Sequence, residues 1–188
     1  MQRNQNYGIL RDTFKHIKEV CRIFENRSEY IQSSQLLGGG VMSKVNVFDV
    51  AVYILNELGS VSGMKLQKLV YYCQAWSLVW EDRPLFSEEI QAWVNGPVVP
   101  TLYENHRGDF LIDQNKFKKL LSGQKFSKAQ IETMDIVIKH YGKRNAQWLS
   151  DLTHSEQPWI DARKGLSEKE RGASAISQEQ MSEFYSSL

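Results

Sequence analysis

The residues of this chain that could carry out catalysis are concentrated in the stretch LTHSEQPWIDAR, residues 152–163. His154 stands two residues before Glu156, and Ser155 lies between them. A histidine near a carboxylate can act as a general base, and a serine beside it can act as a nucleophile. Asp151 and Asp161 add further carboxylates, but the spacing matches no nucleophile elbow, phosphate loop or HExxH motif. Catalysis at His154 is therefore a weak hypothesis.

A structural interpretation of the same stretch is favoured. Thr153 or Ser155 can cap the next helix, Pro158 suits the first turn of that helix, and the Trp159 ring can anchor it by burial. Arg163 follows Trp159 by about one turn, so its guanidinium can donate a forked hydrogen bond to a carboxylate or to helix-end carbonyls. The segment is predicted to be a structural clasp made by Thr153, His154, Pro158 and Trp159, and Arg163 is assigned evenly to the clasp and to a contact surface.

The charge of the chain argues against nucleic-acid binding. Lys and Arg number 23 and Asp and Glu number 22, which gives a formal net charge of +1 at pH 7. Five lysines between residues 116 and 128 form the densest basic group, and Phe117 and Phe126 lie among them. A solvated lysine face is the commoner explanation of such a group, so nucleic acid is not an expected partner.

Cysteine usage and hydropathy indicate a cytoplasmic protein. Cys21 and Cys73 form no CxxC pair, so neither a disulfide framework nor a zinc site is indicated, and no metal or cofactor is predicted. A reducing compartment fits this usage. No stretch is apolar over the length that a bilayer requires, and residues 1–20 lack the apolar core of a signal peptide, so no membrane partner is expected.

The elements that must position these residues are chiefly helices. The chain is predicted to be mainly α, a single compact helical domain with a short β-strand or hairpin element around residues 88–113. Asn46 can cap a helix that ends before Gly59, and residues 64–81 are predicted to form the central packing helix through one apolar stripe. Capping boxes at Ser127 and Ser177 open two later helices. Residues 88–94 alternate as a strand does, and residues 109–113 are predicted to be an extended piece that returns toward it.

Three glycines at positions 38–40 separate an N-terminal extension, residues 1–41, from the main domain, residues 42–188. Two interpretations of the extension stand. One is a short amphipathic helix, because five apolar residues fall on one helical stripe: Leu10, Phe14, Ile17, Cys21 and Phe24. The other is a mis-assigned start, because a glycine run implies a G-rich message just upstream of Met42.

The stretch AWVNGPVVP, residues 92–100, is unusually rigid and apolar for a turn. Gly96 can take a positive φ and Pro97 fixes its own φ, so the corner is expected to hold one conformation. Two interpretations stand equally: the corner closes the core, or it presents side chains to a partner at a small ordering cost. The residues assigned to partner contact are Trp93, Asn95, Gly96, Pro97, Val98, Val99 and Tyr103, together with Arg163.

Three segments of the chain resemble, in their order, the SocA-like antitoxin domain, also called the Panacea domain, of phage-associated GepA-type proteins. They are KLQKLVYYCQAW, RPLFSEEIQAWVNGPVVPTLY and LTHSEQPWIDAR. The most specific features are Trp93 followed by Gly96-Pro97-Val98 and Leu102-Tyr103, with Thr-His-x-x-x-Pro-Trp and the downstream Arg163 as a second anchor. The resemblance runs from about Asn46 to Tyr185 and does not include residues 1–41.

The resemblance implies a non-enzymatic function. A family member of this kind is an antitoxin, bacterial or carried by a prophage, that neutralises the toxin of an adjacent gene by direct protein–protein binding. The alternative that the family implies is a proteolytic adaptor that delivers the toxin to an AAA+ protease. Neither needs a cofactor. An enzyme that uses His154 ranks behind both, and a transcriptional regulator ranks last because no helix-turn-helix or basic recognition helix is evident.

Overall fold

The computed structural model describes residues 45–167 and 169–188, and the predicted N-terminal stripe and start site lie outside these residues. Helix α1 spans Val47–Leu58. The Asn46 side chain accepts from the backbone N–H groups of Phe48 and Asp49, and the Asp49 carboxylate accepts from the Asn46 N–H at 2.8 Å. Gly59 ends the helix with a φ of 71°. The predicted bounds and cap of this helix are confirmed.

Helix α2, Gly63–Trp80, lies at the centre of the fold. Its residues are buried without interruption from Leu66 to Leu78. The predicted apolar stripe is part of this helix, but burial extends over all of its faces and includes four polar side chains, Gln67, Lys68, Gln74 and Ser77. A helix surrounded by other elements buries its polar positions as well, and these then need partners inside the protein.

The remaining helices follow along the chain and surround α2. They are α3 Pro100–His106, a 3-10 helix Gln114–Leu120, α4 Lys128–Tyr141, α5 Ala146–His154, α6 Gln157–Ala162 and α7 Gln178–Ser186. The capping boxes at Ser127 and Ser177 are both formed. Helices α4, α5 and α7 pack directly on α2, as does α1. Within the part of the chain that is described, no helix has the length and hydropathy that crossing a membrane requires.

Within the described residues, four short strands form two antiparallel pairs. Strand β1, Val61–Ser62, pairs with β4, Leu111–Ile112. Strand β2, Gln91–Trp93, pairs with β3, Gly96–Val98. The predicted return of residues 109–113 to the strand at 88–94 is therefore wrong. The partner of β2 comes from within AWVNGPVVP itself, because a two-residue turn lets the chain reverse locally and form a hairpin.

The free edge of β2 is covered by the segment that precedes α7. The Ala92 N–H donates to the Ser174 carbonyl at 2.9 Å, and the Ile176 N–H donates to the Ile90 carbonyl at 2.8 Å. The hairpin is thus held on two sides, by β3 and by residues 174–176. Mainly helical architecture with short β-hairpins, as predicted, is the fold of the described residues.

Candidate functional site

A pocket of about 230 Å³ lies between α2, the β2–β3 hairpin and α3. Its apolar walls come from Met64, Trp93, Val94, Val98 and Tyr103, and its polar groups from Gln67, Lys68, Asn95 and His106. Pockets for drug-sized molecules and cofactors are generally larger, at roughly 300 to 1,000 Å³. The pocket beside the hairpin therefore has the size for one large side chain or a comparable small group.

Trp93 stands at the rim of this pocket and is partly exposed. Its ring meets Tyr103 edge-on at a centroid distance of 4.8 Å, and the Arg171 guanidinium lies 4.5 Å from the Trp93 ring centroid. The Trp93 indole N–H donates to Gln91 Oε1 at 2.9 Å. An aromatic ring held from several directions loses little conformational entropy when a partner covers it.

The structure divides the residues predicted for partner contact into two groups. Asn95 is exposed, and Trp93 and Tyr103 are partly exposed. The other members of the corner, Gly96, Pro97, Val98 and Val99, are buried. Their burial means that they support the conformation of the hairpin, while Trp93, Asn95 and Tyr103 offer the accessible area.

Gly96 allows the closest approach between the hairpin and α2. Its φ is 100°, and a Cβ built there would lie 2.6 Å from Lys68 Cε and 2.8 Å from Thr153 Oγ1. Both the backbone conformation and the space therefore require glycine.

Gly96→Ala is expected to lower the free energy of unfolding by about 2 to 4 kcal/mol, because the positive φ and the contact with Lys68 and Thr153 both penalise a side chain. Gly108→Ala is the matched control, since Gly108 has a φ of 92° and nothing within 4 Å of a built Cβ. That variant is expected to lose only about 1 to 2 kcal/mol. Denaturant unfolding of both variants measures the difference, and equal losses would contradict the steric argument.

Lys68 is the least expected member of the pocket, because its side chain is only 1% exposed. Its ammonium donates to the Pro97 carbonyl at 2.9 Å. No carboxylate of the described residues lies within 4 Å of it. Burial without a counter-ion disfavours the charged form, and it lowers the pKa of Lys68 to about 7.

Gln67 and His106 join α2, α3 and the hairpin beneath the pocket. Gln67 Oε1 accepts from the Val99 N–H at 2.8 Å, so its Nε2 faces His106 Nε2, which lies 3.0 Å away. This arrangement assigns His106 Nε2 as the acceptor and the histidine as neutral. Burial lowers the pKa of His106, which agrees with that assignment.

The four residues predicted to form the clasp lie together at the junction of α5 and α6. The Thr153 hydroxyl is buried and donates to the Ser150 carbonyl at 2.8 Å. His154 stacks on Trp159 at a centroid distance of 4.1 Å. Pro158 occupies the first turn of α6. The Trp159 indole N–H donates to the Trp93 carbonyl at 2.9 Å, which ties α6 to the hairpin.

Neither predicted cap of α6 forms. The N-cap residue is Glu156, which makes no side-chain capping bond. The Ser155 hydroxyl instead donates to the Leu152 carbonyl at 2.7 Å, and the Thr153 hydroxyl points back into α5. Both hydroxyls close the end of α5, because the junction between the two helices is too short for either one to reach forward.

Arg163 is buried, and its guanidinium acts as a bracket between the hairpin and the following loop. Nη1 donates to the carbonyls of Ala92 at 3.0 Å and Arg171 at 3.5 Å, and Nη2 donates to those of Ser167 at 3.0 Å and Glu170 at 2.7 Å. The Arg163 guanidinium also lies 5.2 Å from the centroid of the Trp159 ring. In this structure Arg163 is part of the supporting framework and has little area to offer a partner.

Glu156 is buried in a cluster of tyrosines that the sequence did not reveal. Tyr185 donates to Glu156 Oε2 at 2.7 Å, and Tyr72 donates to both carboxyl oxygens, at 3.2 and 3.3 Å. Burial raises the pKa of Glu156 to about 8, although both tyrosine hydrogen bonds oppose the shift. At neutral pH this carboxyl is therefore largely protonated.

The residues of the catalytic hypothesis are not brought together as a catalytic site. His154 Nε2 is buried with no hydrogen-bond partner in the described part of the chain, and burial lowers the pKa of His154. Glu156 bonds to tyrosines and Ser155 to a carbonyl, so neither meets the His154 ring through a hydrogen bond. Among residues 45–167 and 169–188, no group of three or more His, Cys, Asp or Glu side chains could hold a metal ion.

The region that builds the pocket and the clasp matches a known family. The model of the family "Antitoxin SocA-like, Panacea domain" covers residues 66–160, from the start of α2 to α6. The chain belongs to this antitoxin family. The resemblance to the SocA-like, Panacea domain that the sequence motifs indicated is confirmed, and the family supports an antitoxin role.

A curated relative agrees with this assignment. Antitoxin SocA of Caulobacter vibrioides (strain NA1000 / CB15N) is 30% identical over 109 residues, which is 53% of this chain and 58% of that protein. The chain therefore spans less than two thirds of the length of this relative. No solved structure matches the chain.

Proposed function

We propose that this protein is an antitoxin that neutralises the toxin encoded by an adjacent gene through direct binding, and that the pocket beside the hairpin is part of the contact surface. The observation that carries the proposal is the pair of rings at the pocket rim, Trp93 and Tyr103, which are partly exposed and held 4.8 Å apart. Family membership supports a toxin as the partner.

The hairpin that carries Trp93 is fixed in one conformation before binding. Val99 is 1% exposed and its N–H is bonded to Gln67, so the hairpin base is fixed to α2 before any partner arrives. The Trp159 indole N–H fixes the hairpin from the other side by its bond to the Trp93 carbonyl. A partner that inserts one side chain beside Trp93 would pay a small ordering cost, and interfaces commonly concentrate their energy in such pockets.

The experiment that tests the proposal is co-expression of the full chain with each neighbouring gene under separate inducers. A toxic neighbour whose toxicity is relieved, and which co-purifies at undiminished abundance, supports neutralisation by direct binding. Relief accompanied by protease-dependent loss of the toxin would show the adaptor mechanism instead. A toxic neighbour that is neither bound nor relieved would contradict the proposal.

Trp93→Ala is expected to weaken toxin binding by about 30-fold or more, because it removes the central ring of the contact surface. Trp148→Ala is the matched control. Trp148 is also partly exposed and also lies under an arginine, with the Arg144 guanidinium 4.6 Å from its ring centroid, but it does not line the pocket. That variant is expected to bind within about threefold of the wild type.

The same two variants test whether the Trp93 side chain contributes to toxin binding or to the stability of the fold. Both are expected to unfold close to the wild-type melting temperature, since both rings are partly exposed. A loss of about 3 to 5 kcal/mol in the free energy of unfolding of Trp93→Ala alone would identify Trp93 as a core residue and contradict its role in contact. Thermal and denaturant unfolding supply this comparison.

A further inference from the structure

The wall of the pocket contains a cation with an incomplete set of partners. An ammonium group has three donors, and Lys68 Nζ makes one bond, to the Pro97 carbonyl, among the described residues. A charged side chain that is almost fully buried is normally paired, because leaving water without compensation is costly. Two of its donors therefore have no partner among the described residues, and Lys68 lines the adjacent pocket.

The other groups around the pocket do not supply the missing hydrogen-bond partners of Lys68. Gln67 is engaged by the Val99 backbone and by His106. Asn95 is exposed at the hairpin turn, and the remaining walls are the apolar or aromatic side chains of Met64, Trp93, Val98 and Tyr103. The pocket thus combines one buried lysine with walls that are mainly apolar.

We propose that the pocket binds a carboxylate attached to an apolar group on the toxin, and that the carboxylate accepts hydrogen bonds from Lys68 Nζ. This inference rests on the proposed function, because it names the chemistry of the toxin segment that enters the pocket. A glutamate or aspartate beside an apolar residue, or the C-terminal carboxylate of an apolar residue, has this character. An ion pair formed away from water is stronger than one on the surface, and its hydrogen bonds are charge-assisted.

The pocket can be tested without the toxin, with 3-phenylpropionate as the probe and 3-phenylpropanamide as its neutral counterpart. Titration of the full chain, followed by the NMR signal of the Trp93 indole N–H, is expected to show saturable binding of the carboxylate. The amide is expected to bind at least about tenfold more weakly, because it cannot form the ion pair. The indole signal of Trp148, which does not line the pocket, serves as the internal reference.

Lys68→Met keeps a long apolar stem and removes the ammonium, so it is expected to abolish the preference for the carboxylate while the protein stays folded. Lys65→Met is the matched control on the same helix. Lys65 donates to the Gly142 carbonyl at 2.6 Å and does not line the pocket, and its variant is expected to keep the preference.

The pH dependence of probe affinity distinguishes an ion pair with Lys68 from apolar packing in the pocket. Lys68 titrates near pH 7. The other titratable side chains of the pocket wall are His106 and Tyr103. His154 also lies near Lys68, and its pKa is lowered by burial and then by the charge of Lys68. Burial lowers the pKa of both histidines, which favours their neutral forms. Affinity for 3-phenylpropionate is therefore expected to fall by about tenfold per pH unit well above pH 7, and affinity for the amide is expected to stay constant.

Three results would overturn the inference: no binding of 3-phenylpropionate, equal binding of the amide, or an unchanged preference in Lys68→Met. Failure of the carboxylate pocket and failure of the proposed antitoxin function give different results. If the toxin binds the wild type and Lys68→Met equally and the probe does not bind, the direct-binding antitoxin stands and the carboxylate pocket is wrong. If the probe binds as expected and no toxin binds, the pocket stands and its assignment to the toxin is wrong.

Discussion

Replacing Arg163 with methionine is expected to lower the free energy of unfolding by about 3 to 5 kcal/mol. Arg163 is 7% exposed, and its guanidinium donates to four carbonyls, that of Ala92 on the hairpin and those of Ser167, Glu170 and Arg171 after α6. Methionine retains the stem but removes every donor, so the buried Ala92 carbonyl loses a partner and the loop loses its attachment to Ala92. A hydrogen bond from a charged donor contributes about 1.5 to 3 kcal/mol, and the loop is expected to recover part of the loss by exposure to water.

Arg171→Met is the matched control for this prediction. Arg171 lies on the same loop, is exposed, and has its guanidinium over the Trp93 ring at 4.5 Å. The same change there is expected to cost less than about 1 kcal/mol, as is usual for exposed cation–π pairs. Urea unfolding gives both values, and hydrogen exchange of the Ala92 and Ile176 amides reports on the attachment of the loop. Equal losses in the two variants would contradict the assignment of Arg163 as a bracket.

Glu156→Gln is expected to change the dependence of stability on pH. The pKa of Glu156 is raised from 4.5 to about 8 in the folded protein, chiefly by burial. Between these values the folded state binds more protons at this site than the unfolded state does. The contribution of Glu156 to stability is therefore fully present below about pH 4.5 and is lost as the pH rises through 8. Glutamine does not titrate, so the variant lacks this loss.

The expected change in the free energy of unfolding follows from the size of the pKa shift of Glu156. Relative to Glu156→Gln, the wild type is expected to lose on the order of 4 kcal/mol between pH 4.5 and 8.5. Lys68 has its pKa lowered to about 7, so its own contribution rises with pH between about 7 and its ordinary value of 10.5. Both proteins keep Lys68, and the difference between them isolates Glu156.

Urea unfolding of the wild type and Glu156→Gln at pH 5, 6.5 and 8 measures this difference. Glu57→Gln provides the control, because Glu57 is exposed on α1 and its replacement is expected to change stability little at any of these pH values. A difference between wild type and Glu156→Gln that is independent of pH would contradict the raised pKa and the neutral state of the buried carboxyl.

Local signals made the helices predictable from the sequence. Asn46, Ser127 and Ser177 each stand three residues before a side chain that completes a capping box, and all three boxes form. These interactions join residues that are close in the chain, so short-range chemistry decides them. The resemblance to the antitoxin family rested on motifs of the same kind, around Trp93 and around Trp159.

The residue pattern of α4 alone does not determine which of two adjacent faces of this helix is buried. In α4 the sequence favours a face with Ile131, Met134, Ile138 and Tyr141, whereas Met134, Val137 and Tyr141 are buried and Ile131 is 36% exposed. A period of 3.6 residues allows both stripes, and only the position of the neighbouring helix selects one. The buried face of α4 is therefore set by its packing against neighbouring helices, and the period of its apolar residues does not determine it.

The polar residues of the candidate site were missed for a similar reason. Lys68 and Gln67 lie off the apolar stripe of α2, where charged and amide side chains are usually exposed. They become buried because the hairpin packs on that side of α2, with Gly96 close to the Lys68 stem. In the sequence Glu156 stands out only as a neighbour of His154, whereas its tyrosine partners come from positions 72 and 185. Contacts over such separations leave no local signal.

The most direct test of the central claim is a titration of the purified full-length protein with the purified product of the toxic neighbouring gene, without ATP or any protease. The expected result is a saturable complex that suppresses the activity of the toxin, with an affinity that falls by about 30-fold or more in Trp93→Ala and stays nearly unchanged in Trp148→Ala. A toxin that is neutralised in cells but does not bind the purified protein would contradict direct neutralisation.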